Sequence, residues 1–301
     1  MPSSTPPADL VAAISERRAT LSPKLAGIAA YALQNPEAFI RKTSREICAE
    51  LQTSEPTLIR FCQVFGYAGL SDFRIDLALG LAGSRQGFVE PLAGDRRLVN
   101  AEAKQAIARR AAQLVRDDRS LLVDNGSTAE IFAAELRDAP AMTIMTTGIW
   151  VAQNALAHGQ HTVMLTGGRI RSNAMSMTGR MVETSIGQMH FDTFVMGAAS
   201  IDADHGLSTF QEDEAHNTRF MLGAARRVIV LADSTKFHKP SLHRICGMSR
   251  VDILVTDLPA DDPRYSALEA QGTTIITTRT SDDFNADTAR DRDLGRDSRP
   301  A

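Results

Sequence analysis

Apolar residues recur at helical spacing through much of the N-terminal third of the chain. Clear stripes run through residues 25–32 and 73–81. Asn35–Pro36 ends the first of these predicted helices, and Ser71 is placed to cap the second. The pattern predicts an all-helical N-terminal domain over residues 10–85.

Residues 43–65 predict two short helices joined by a tight turn. Thr43 and Glu46 have the capping-box spacing that starts a helix. Ser54 is a suitable N-cap for the second helix, and Pro56 lies in its first turn, where the missing N–H does no harm. The second helix has apolar residues at i, i+3, i+4 and i+7, which are Leu58, Phe61, Cys62 and Phe65.

The opposite face of this second helix is polar and free to contact another molecule. Thr57 and Arg60 lie one turn apart near its N-terminus, where a recognition helix presents side chains to DNA bases. The alternative is an ordinary helical hairpin with a solvated polar face. We expect double-stranded DNA as a partner, contacted by Thr43, Ser44, Arg45, Ser54, Glu55, Thr57, Arg60 and Gln63.

In the C-terminal two thirds, short β-rich runs alternate with amphipathic segments such as 129–136, 151–157 and 212–225. Near-continuous apolar strands that alternate with helices predict a mostly parallel α/β sheet covered on both faces. The predicted strands are Leu121–Asp124, Thr143–Thr147, Thr162–Thr166, Phe191–Gly197, Arg227–Asp233, Asp252–Thr256 and Thr273–Thr277.

Three segments are expected to lie outside the two domains. Residues 1–9 are rich in Pro and Ser, and residues 279–301 are rich in Asp and Arg with few apolar residues, so both are predicted to be disordered. The Gly, Pro and charge content of 86–100 is typical of a linker. The C-terminal domain is therefore expected to span 101–278.

The overall composition is that of a two-domain globular protein. The chain has 301 residues, of which 43% are hydrophobic, and no apolar run approaches the length of a membrane span. The N-terminus lacks the features of a signal peptide, and the three cysteines have no paired spacing. These features favour the reducing cytoplasm.

The net charge of −3 argues against a protein that coats nucleic acid nonspecifically. It does not exclude a local DNA-binding face, since a patch makes the phosphate contacts. Residues 1–85 carry nine Lys/Arg and eight Asp/Glu, a net charge of only +1. The clustering of the basic residues is therefore more informative than this net charge. The basic residues around the predicted helix pair are Arg41, Lys42, Arg45 and Arg60.

Four loops at predicted strand ends have unusual composition, and open α/β sheets bind ligands at this edge. In the first loop, Gly126 lets the backbone approach an anion, and the hydroxyls of Ser127 and Thr128 can hold a phosphate. Each loop alone is more often a structural turn or cap, but together they predict a small anionic ligand. The expected effector-binding residues are Asp124, Gly126, Ser127, Thr128, Thr146, Thr147, Gly167, Gly168, Arg169, Gly197, Glu214 and Lys236.

Other patterns give no catalytic, metal or cofactor site. His158, His161, His238 and His243 lack partners at zinc spacing, and no dinucleotide or Walker motif is present. The acidic run at 212–214 could hold a catalytic base, but it is more simply the first turn of a helix. Met175 and Met177 flank Ser176 in an expected loop, where they are expected to pack.

Residues of about 10–82 resemble the helix-turn-helix domain of RpiR-type transcription regulators. The matching motifs are Asn35-Pro36-Glu37, Ser54-Glu55-Pro56-Thr57, Arg60-Phe61-Cys62, Phe65-Gly66-Tyr67 and Gly69. RpiR-type proteins normally continue into a sugar-isomerase domain, and this chain does not.

Residues of about 100–257 instead resemble the sensor domain of DeoR-type regulators. This resemblance implies a fold similar to ribose-5-phosphate isomerase, used to sense phosphorylated sugars without turning them over. The matching motifs are Asp124–Thr128, Gly167-Gly168-Arg169, Phe191-Asp192, Gly197-Ala198, Ile201-Asp202, Gly206-Leu207, Glu214, Ala224–Val228, Asp233–Phe237 and Thr256-Asp257.

Three positions depart from the DeoR pattern. Such sensors usually have Asn where Thr147 stands, an acidic residue near Ala199, and Lys where Thr218 stands. The departures change the hydrogen-bonding groups of the pocket, so the effector can differ from the common sugar phosphates. The missing carboxylate at Ala199 also weakens an isomerase interpretation.

The sequence thus predicts a cytoplasmic, oligomeric regulator, dimer or tetramer, that represses a carbohydrate-utilisation operon and is released by a sugar phosphate. One alternative is an isomerase-like enzyme with a helical extension, but no convincing acid and base pair is apparent. Another is a sensor whose departures have abolished ligand binding.

Overall fold

The computed structural model describes residues 9–82 and 89–278. The segments 1–8 and 279–301, for which we predict disorder, and the first part of the expected linker, 86–88, lie outside the described residues. The chain divides into two compact units, Met1–Val99 and Asn100–Ala301. Over the described ranges, no helix is long and apolar enough to cross a membrane.

The first unit is all-helical, as predicted. Its core is a group of aromatic rings with centroids 5.2–6.4 Å apart, centred on Phe39, Phe61, Phe65 and Phe73. All four side chains are essentially inaccessible to solvent. The helices are α1 (Leu10–Arg17), α2 (Pro23–Gln34), α3 (Pro36–Arg41), α4 (Ser44–Glu50), α5 (Glu55–Val64), α6 (Leu70–Ala82) and α7 (Ala93–Leu98).

Local capping explains where α4 and α5 begin. Both hydrogen bonds of the predicted capping box are present between Thr43 and Glu46 at the start of α4. Ser54 is the N-cap of α5, but its hydroxyl bonds to Thr57 Oγ1 at 2.9 Å and not to the backbone. The predicted apolar stripe of α5 is buried.

Two expectations for the helical unit need correction. α6 begins at Leu70, so Ser71 is inside its first turn, and its hydroxyl donates to Asp95 Oδ1 at 2.7 Å. The expected linker, 86–100, contains α7. The buried guanidinium of Arg74 pairs with Asp95 at 3.2 Å, and this ion pair holds α7 against α6.

The second unit is built on a seven-stranded parallel sheet in the order β12-β11-β9-β6-β1-β2-β3. All seven predicted strands form this sheet, which confirms the α/β expectation. The strands of the unit are β1 (Ser120–Val123), β2 (Thr143–Thr146), β3 (Thr162–Leu165), β4 (Arg169–Arg171), β5 (Ser176–Thr178), β6 (Phe191–Gly197), β7 (Ser200–Asp202), β8 (Gly206–Thr209), β9 (Ala225–Ala232), β10 (His243–Cys246), β11 (Ile253–Thr256) and β12 (Thr274–Thr277).

Helices cover both faces of the parallel sheet. Successive residues of β1 point to opposite faces, so Leu122 packs in one apolar cluster while Leu121 and Val123 pack in the other. The helices of this unit are α8 (Ala101–Leu114), α9 (Ser127–Glu135), α10 (Ile149–Leu156), α11 (Arg180–Ile186), α12 (Glu212–Gly223) and α13 (Pro263–Glu269).

Two small antiparallel sheets were not predicted. β4 pairs with β5 as a hairpin, and β10, β8 and β7 form a three-stranded sheet. The prediction of a loop around Ser176 is therefore wrong, because Ser176 and Met177 lie in β5. Three of their five strands have only three residues, too few to display a detectable alternating pattern.

The strand order reverses beside β1. The chain runs from β1 outward through β2 and β3, and then returns to the other side of β1 as β6. Such a reversal leaves a crevice at the carboxyl ends of the two diverging strands, where open α/β sheets place their ligands.

Candidate functional site

The helical unit presents one polar, solvent-facing surface on α5. With about 3.6 residues per turn, the side opposite the buried stripe carries Arg60 and Gln63. Both are exposed, as is Arg45 on α4. Within residues 9–82 and 89–278, neither the two guanidinium groups nor the amide makes a hydrogen bond or ion pair. These three groups are available to an external partner.

The other predicted DNA-binding residues already have partners in the helix pair. Ser44 Oγ on α4 donates to Glu55 Oε1 on α5 at 2.6 Å. Ser54 and Thr57 share a hydrogen bond, and Thr57 is half-buried. Thr43 holds the capping box. These contacts fix the start of α5 relative to α4, so the free side chains of α5 project from a rigid helix.

The basic residues around the helix pair differ in availability. Arg41 pairs with Glu37 at 2.6 Å, and Lys42 pairs with Glu50. The positive charge of these two side chains is therefore compensated within the helical unit, unlike that of Arg45 and Arg60.

The second unit has a polar cavity at the carboxyl end of β1, on the edge where the strand order reverses. It is a narrow cleft, because the space of about 190 Å³ between its lining residues includes open solvent. Three predicted effector residues border it, namely Asp124, Thr147 and Glu214. The remaining lining residues are Asn125, Arg171, Met177, Thr178, Asn217 and Thr218.

Asp124 lies at the centre of the hydrogen bonding in this cavity. Its Oδ1 accepts from the backbone N–H of Asn125 (2.8 Å) and from the Thr147 hydroxyl (3.2 Å). Its Oδ2 accepts from the Thr218 hydroxyl at 3.5 Å. Burial, with a smaller contribution from the negative charge of Glu214, raises the pKa of Asp124 to about 7. The carboxyl group therefore titrates close to neutral pH.

Glu214 on α12 is the second carboxylate of the cavity. Its Oε2 accepts from the Thr209 hydroxyl at 2.6 Å, and its Oε1 lies 3.6 Å from Nη1 of Arg171. Arg171 projects from β4 and brings a cation to the same cavity. The cavity thus combines two carboxyl groups, one guanidinium, and several hydroxyl and amide groups. No group of three metal-ligating side chains occurs among the described residues.

The predicted anion-binding loop leads directly from Asp124 into α9. Gly126 is the N-cap, with a φ of +119° that only glycine adopts readily. The backbone N–H groups of Ser127 and Thr128 have no hydrogen-bond partner among the described residues. They lie at the positive end of the helix dipole. On β2, Thr146 is buried and its hydroxyl accepts from the N–H of Gly148 at 3.0 Å.

The Gly-Gly-Arg loop has a structural role in the hairpin. At Gly168, φ is +134°, and a Cβ would lie 2.6 Å from the carbonyl oxygen of Thr178, so only glycine fits. Its neighbour Gly167 packs against Met181. The exposed Arg169 pairs with Asp213 at 2.6 Å, outside the set of cavity-lining side chains.

The last two predicted residues lie at strand ends further from the cavity centre. Gly197 ends β6, next to β1. Lys236 lies in a short turn after β9, two strands from β1, which corresponds to about 10 Å at the usual strand spacing. Its positive charge helps to lower the pKa of the buried Asp233 against the effect of burial.

Six of the lining residues were not among the expected effector-binding residues. Arg171 lies two residues after the expected Arg169. Its side chain borders the cavity because of the β4–β5 hairpin, which was not predicted from the sequence. Thr218 was noted as a departure, but its bond to Asp124 depends on how α12 packs on the sheet. Asn217 donates to the carbonyl oxygen of Met177 at 3.5 Å, a contact that also depends on the hairpin.

Comparison with known proteins connects these two surfaces to known domains. The family model described as the DeoR C terminal sensor domain matches residues 99–258, more than half of the chain. The model described as the helix-turn-helix domain of the rpiR family matches residues 8–84. Both resemblances drawn from the sequence motifs are confirmed.

Among curated relatives, a protein of Escherichia coli O157:H7 assigned as the aga operon transcriptional repressor is 35% identical over 190 residues. The match covers 62% of this chain and 70% of the relative. The glycerol-3-phosphate regulon repressor of Escherichia coli K12 is 28% identical over 165 residues, covering 55% of this chain and 66% of the relative.

Among solved structures, ribose 5-phosphate isomerase from Methanocaldococcus jannaschii is similar to 46% of this chain, with 18% identity and a TM-score of 0.35. The chain spans about half of that enzyme, 56% of its length. A structural similarity with a TM-score this low supports no statement about activity.

Proposed function

Because this chain belongs to the family of the DeoR C terminal sensor domain, we propose that it is a sequence-specific DNA-binding repressor that a phosphorylated sugar releases from its operator. One observation carries the proposal. A helix-turn-helix unit with one free cationic side chain on each of α4 and α5 is joined to a sensor unit whose polar cavity lies at the strand-order reversal. The regulated genes belong to carbohydrate utilisation, as the names of the relatives suggest.

The DNA contacts come from the α4–α5 pair. Arg60 and Gln63 face outward from α5 and reach base edges in the major groove. Arg45 and the first turns of both helices contact the phosphate backbone. The bond between Ser44 and Glu55 positions the two helices for this docking.

The effector site is the Asp124 cavity together with the start of α9. The free N–H groups of Ser127 and Thr128 suit a phosphate group, since they combine donors with the positive end of the helix dipole. The sugar hydroxyls then exchange hydrogen bonds with Asp124 and its neighbours in the cavity. The threonines at 147 and 218, both departures from the DeoR pattern, bond to the same carboxyl group. The departures therefore retune a polar pocket and leave it able to bind.

The cation of the site is Arg171, in place of the expected Lys236. Arg171 borders the cavity and pairs with Glu214, whereas Lys236 lies beside Asp233 two strands away. A ligand phosphate that competes with Glu214 for the guanidinium gains a charge-assisted hydrogen bond.

Release requires that the ligand favours one arrangement of the DNA-binding units over another. We propose a homo-oligomer, because two linked half-site contacts bind an operator far more tightly than one. Ligand binding then lowers operator affinity by changing the spacing of the paired helix-turn-helix units.

The test begins with selection of bound sequences from random double-stranded DNA by the full-length protein. A panel of sugar phosphates is then screened for thermal stabilisation, followed by the fluorescence of Trp150, the only tryptophan of the chain. We expect an enriched sequence, and at least one sugar phosphate that stabilises the protein and weakens its binding to that sequence.

Other outcomes would contradict parts of the proposal. Failure to enrich any sequence would refute DNA recognition. Conversion of an aldose phosphate to its ketose by the purified protein would support the isomerase alternative. Enriched DNA with no stabilising sugar phosphate would support a sensor that no longer binds a ligand.

A further inference from the structure

One large apolar side chain lies on the outward face of α5. Ile59 is 42% exposed, and it is not among the side chains that pack in the core of the helical unit. Helical geometry places Ile59 on the flank of the exposed face, next to Gln63 and away from the buried side chains of α5. Those buried side chains are Leu58, Phe61, Cys62 and Phe65.

Three neighbours of Ile59 on the outward side of α5 are exposed. Pro56 lies one turn before it, Gln63 lies one turn after it, and Arg60 is adjacent. A single exposed apolar residue is ordinary on a protein surface. Ile59 differs because it shares its face with the unpaired guanidinium and amide groups of the proposed recognition helix. A β-branched residue is also a poorer helix former than alanine at an exposed position, so helix stability does not explain it.

We infer that Ile59 is a specificity-determining residue that contacts the 5-methyl group of a thymine in the operator. In the major groove, only thymine among the four bases presents a methyl group, and apolar side chains recognise it by contact. A helix that docks through Arg60 and Gln63 brings Ile59 to the groove beside Gln63, which lies one turn further along the same side of the helix. The inference rests on the proposed DNA-binding function and adds to it the class of base that this side chain reads.

The test replaces each thymine of the selected DNA by deoxyuridine, one at a time, which removes only the methyl group. For the wild-type full-length protein, we expect a loss of about fourfold in affinity at one thymine of each half-site, since one buried methyl group is removed. Ile59→Ala should bind the thymine form more weakly and should show no further loss at that position. Ile59→Val, which keeps part of the branched side chain, should show an intermediate loss.

Two control variants separate this contact from general effects. Leu79→Ala removes a similarly exposed apolar side chain from α6, and it should retain the full deoxyuridine penalty. Arg60→Ala should bind more weakly overall but should retain the penalty at the same thymine, because Arg60 reads a different base. Far-ultraviolet circular dichroism checks that the Ile59 variants remain folded. If Ile59→Ala does not fold, Ile59→Val carries the test.

Two results would overturn the inference. One is a wild-type protein that is insensitive to deoxyuridine at every thymine. The other is a penalty of equal size in wild type and in the Ile59 variants. A selection that enriches no DNA would instead overturn the proposed function and this inference with it, so the two failures are distinguishable.

Discussion

Replacing Asp124 by asparagine should change how the stability of the sensor unit depends on pH. Asp124 is 8% exposed, and two threonine hydroxyls and one backbone N–H solvate its carboxyl group. Its pKa of about 7 in the folded protein compares with an ordinary value of 3.8. The folded state therefore holds a proton that the unfolded state releases between these two values.

The sign of the effect follows from proton linkage. Where the folded state binds more protons, stability falls as pH rises. The wild-type protein should lose stability from about pH 4 up to about pH 7, and the loss should level off above that range. The amide of the Asp124→Asn variant has no titrating proton, so the variant lacks this loss. The free energy of unfolding of the variant minus that of wild type should therefore rise by about 2 kcal/mol between about pH 5.5 and about pH 8.5.

The assay is urea-induced unfolding followed by the fluorescence of Trp150, which reports on the sensor unit. Asp117→Asn is the matched control, because it removes an exposed carboxylate of the same unit that does not border the cavity. A difference for Asp124→Asn that stays constant from about pH 5.5 to about pH 8.5 would refute the raised pKa. A difference of the opposite sign would imply a stabilising cation near Asp124.

Four substitutions test other parts of the molecule. Arg60→Ala should weaken binding to selected DNA by about 1–3 kcal/mol and relax specificity at one base. Fluorescence anisotropy on matched and mismatched DNA measures both effects, and unchanged binding would exclude α5 as the recognition helix. Arg171→Met should weaken sugar-phosphate binding by about 1.5–3 kcal/mol in calorimetry, and Lys236→Met should weaken it less. A larger loss for Lys236→Met than for Arg171→Met would indicate that Lys236 is the cation that binds the phosphate. Arg74→Met should destabilise the helical unit by about 3–5 kcal/mol in thermal unfolding, because it removes the buried guanidinium and leaves the half-buried carboxylate of Asp95 without its charged partner. A change below about 1 kcal/mol would contradict the importance of that ion pair.

Periodicity predicted most of the architecture. The runs 143–147 and 191–197 are short, apolar and bounded by turn residues, and they form strands of the parallel sheet. The α4–α5 pair was predicted because its capping residues and its apolar stripe indicate the same two helices. Segments in which local propensity and burial pattern agree can be predicted from sequence alone.

The remaining features depend on contacts between distant parts of the chain. The hairpin that directs Arg171 into the cavity has strands of only three residues, and its tight approach at Gly168 is a tertiary contact. The polar composition of α7 is typical of a linker, yet the ion pair from Arg74 holds this helix against α6. The strand-end rule placed Lys236 at the correct edge of the sheet but could not give its distance from β1.

The most direct test of the central claim is the thermodynamic coupling between the two units. The dissociation constant for selected DNA is measured with and without a saturating sugar phosphate, and that for the sugar phosphate is measured with and without DNA. We predict that the sugar weakens DNA binding by at least about tenfold and that DNA weakens sugar binding by the same factor, as linkage requires. A protein that binds both ligands with affinities independent of each other would contradict the proposal that this chain is a sugar-released repressor.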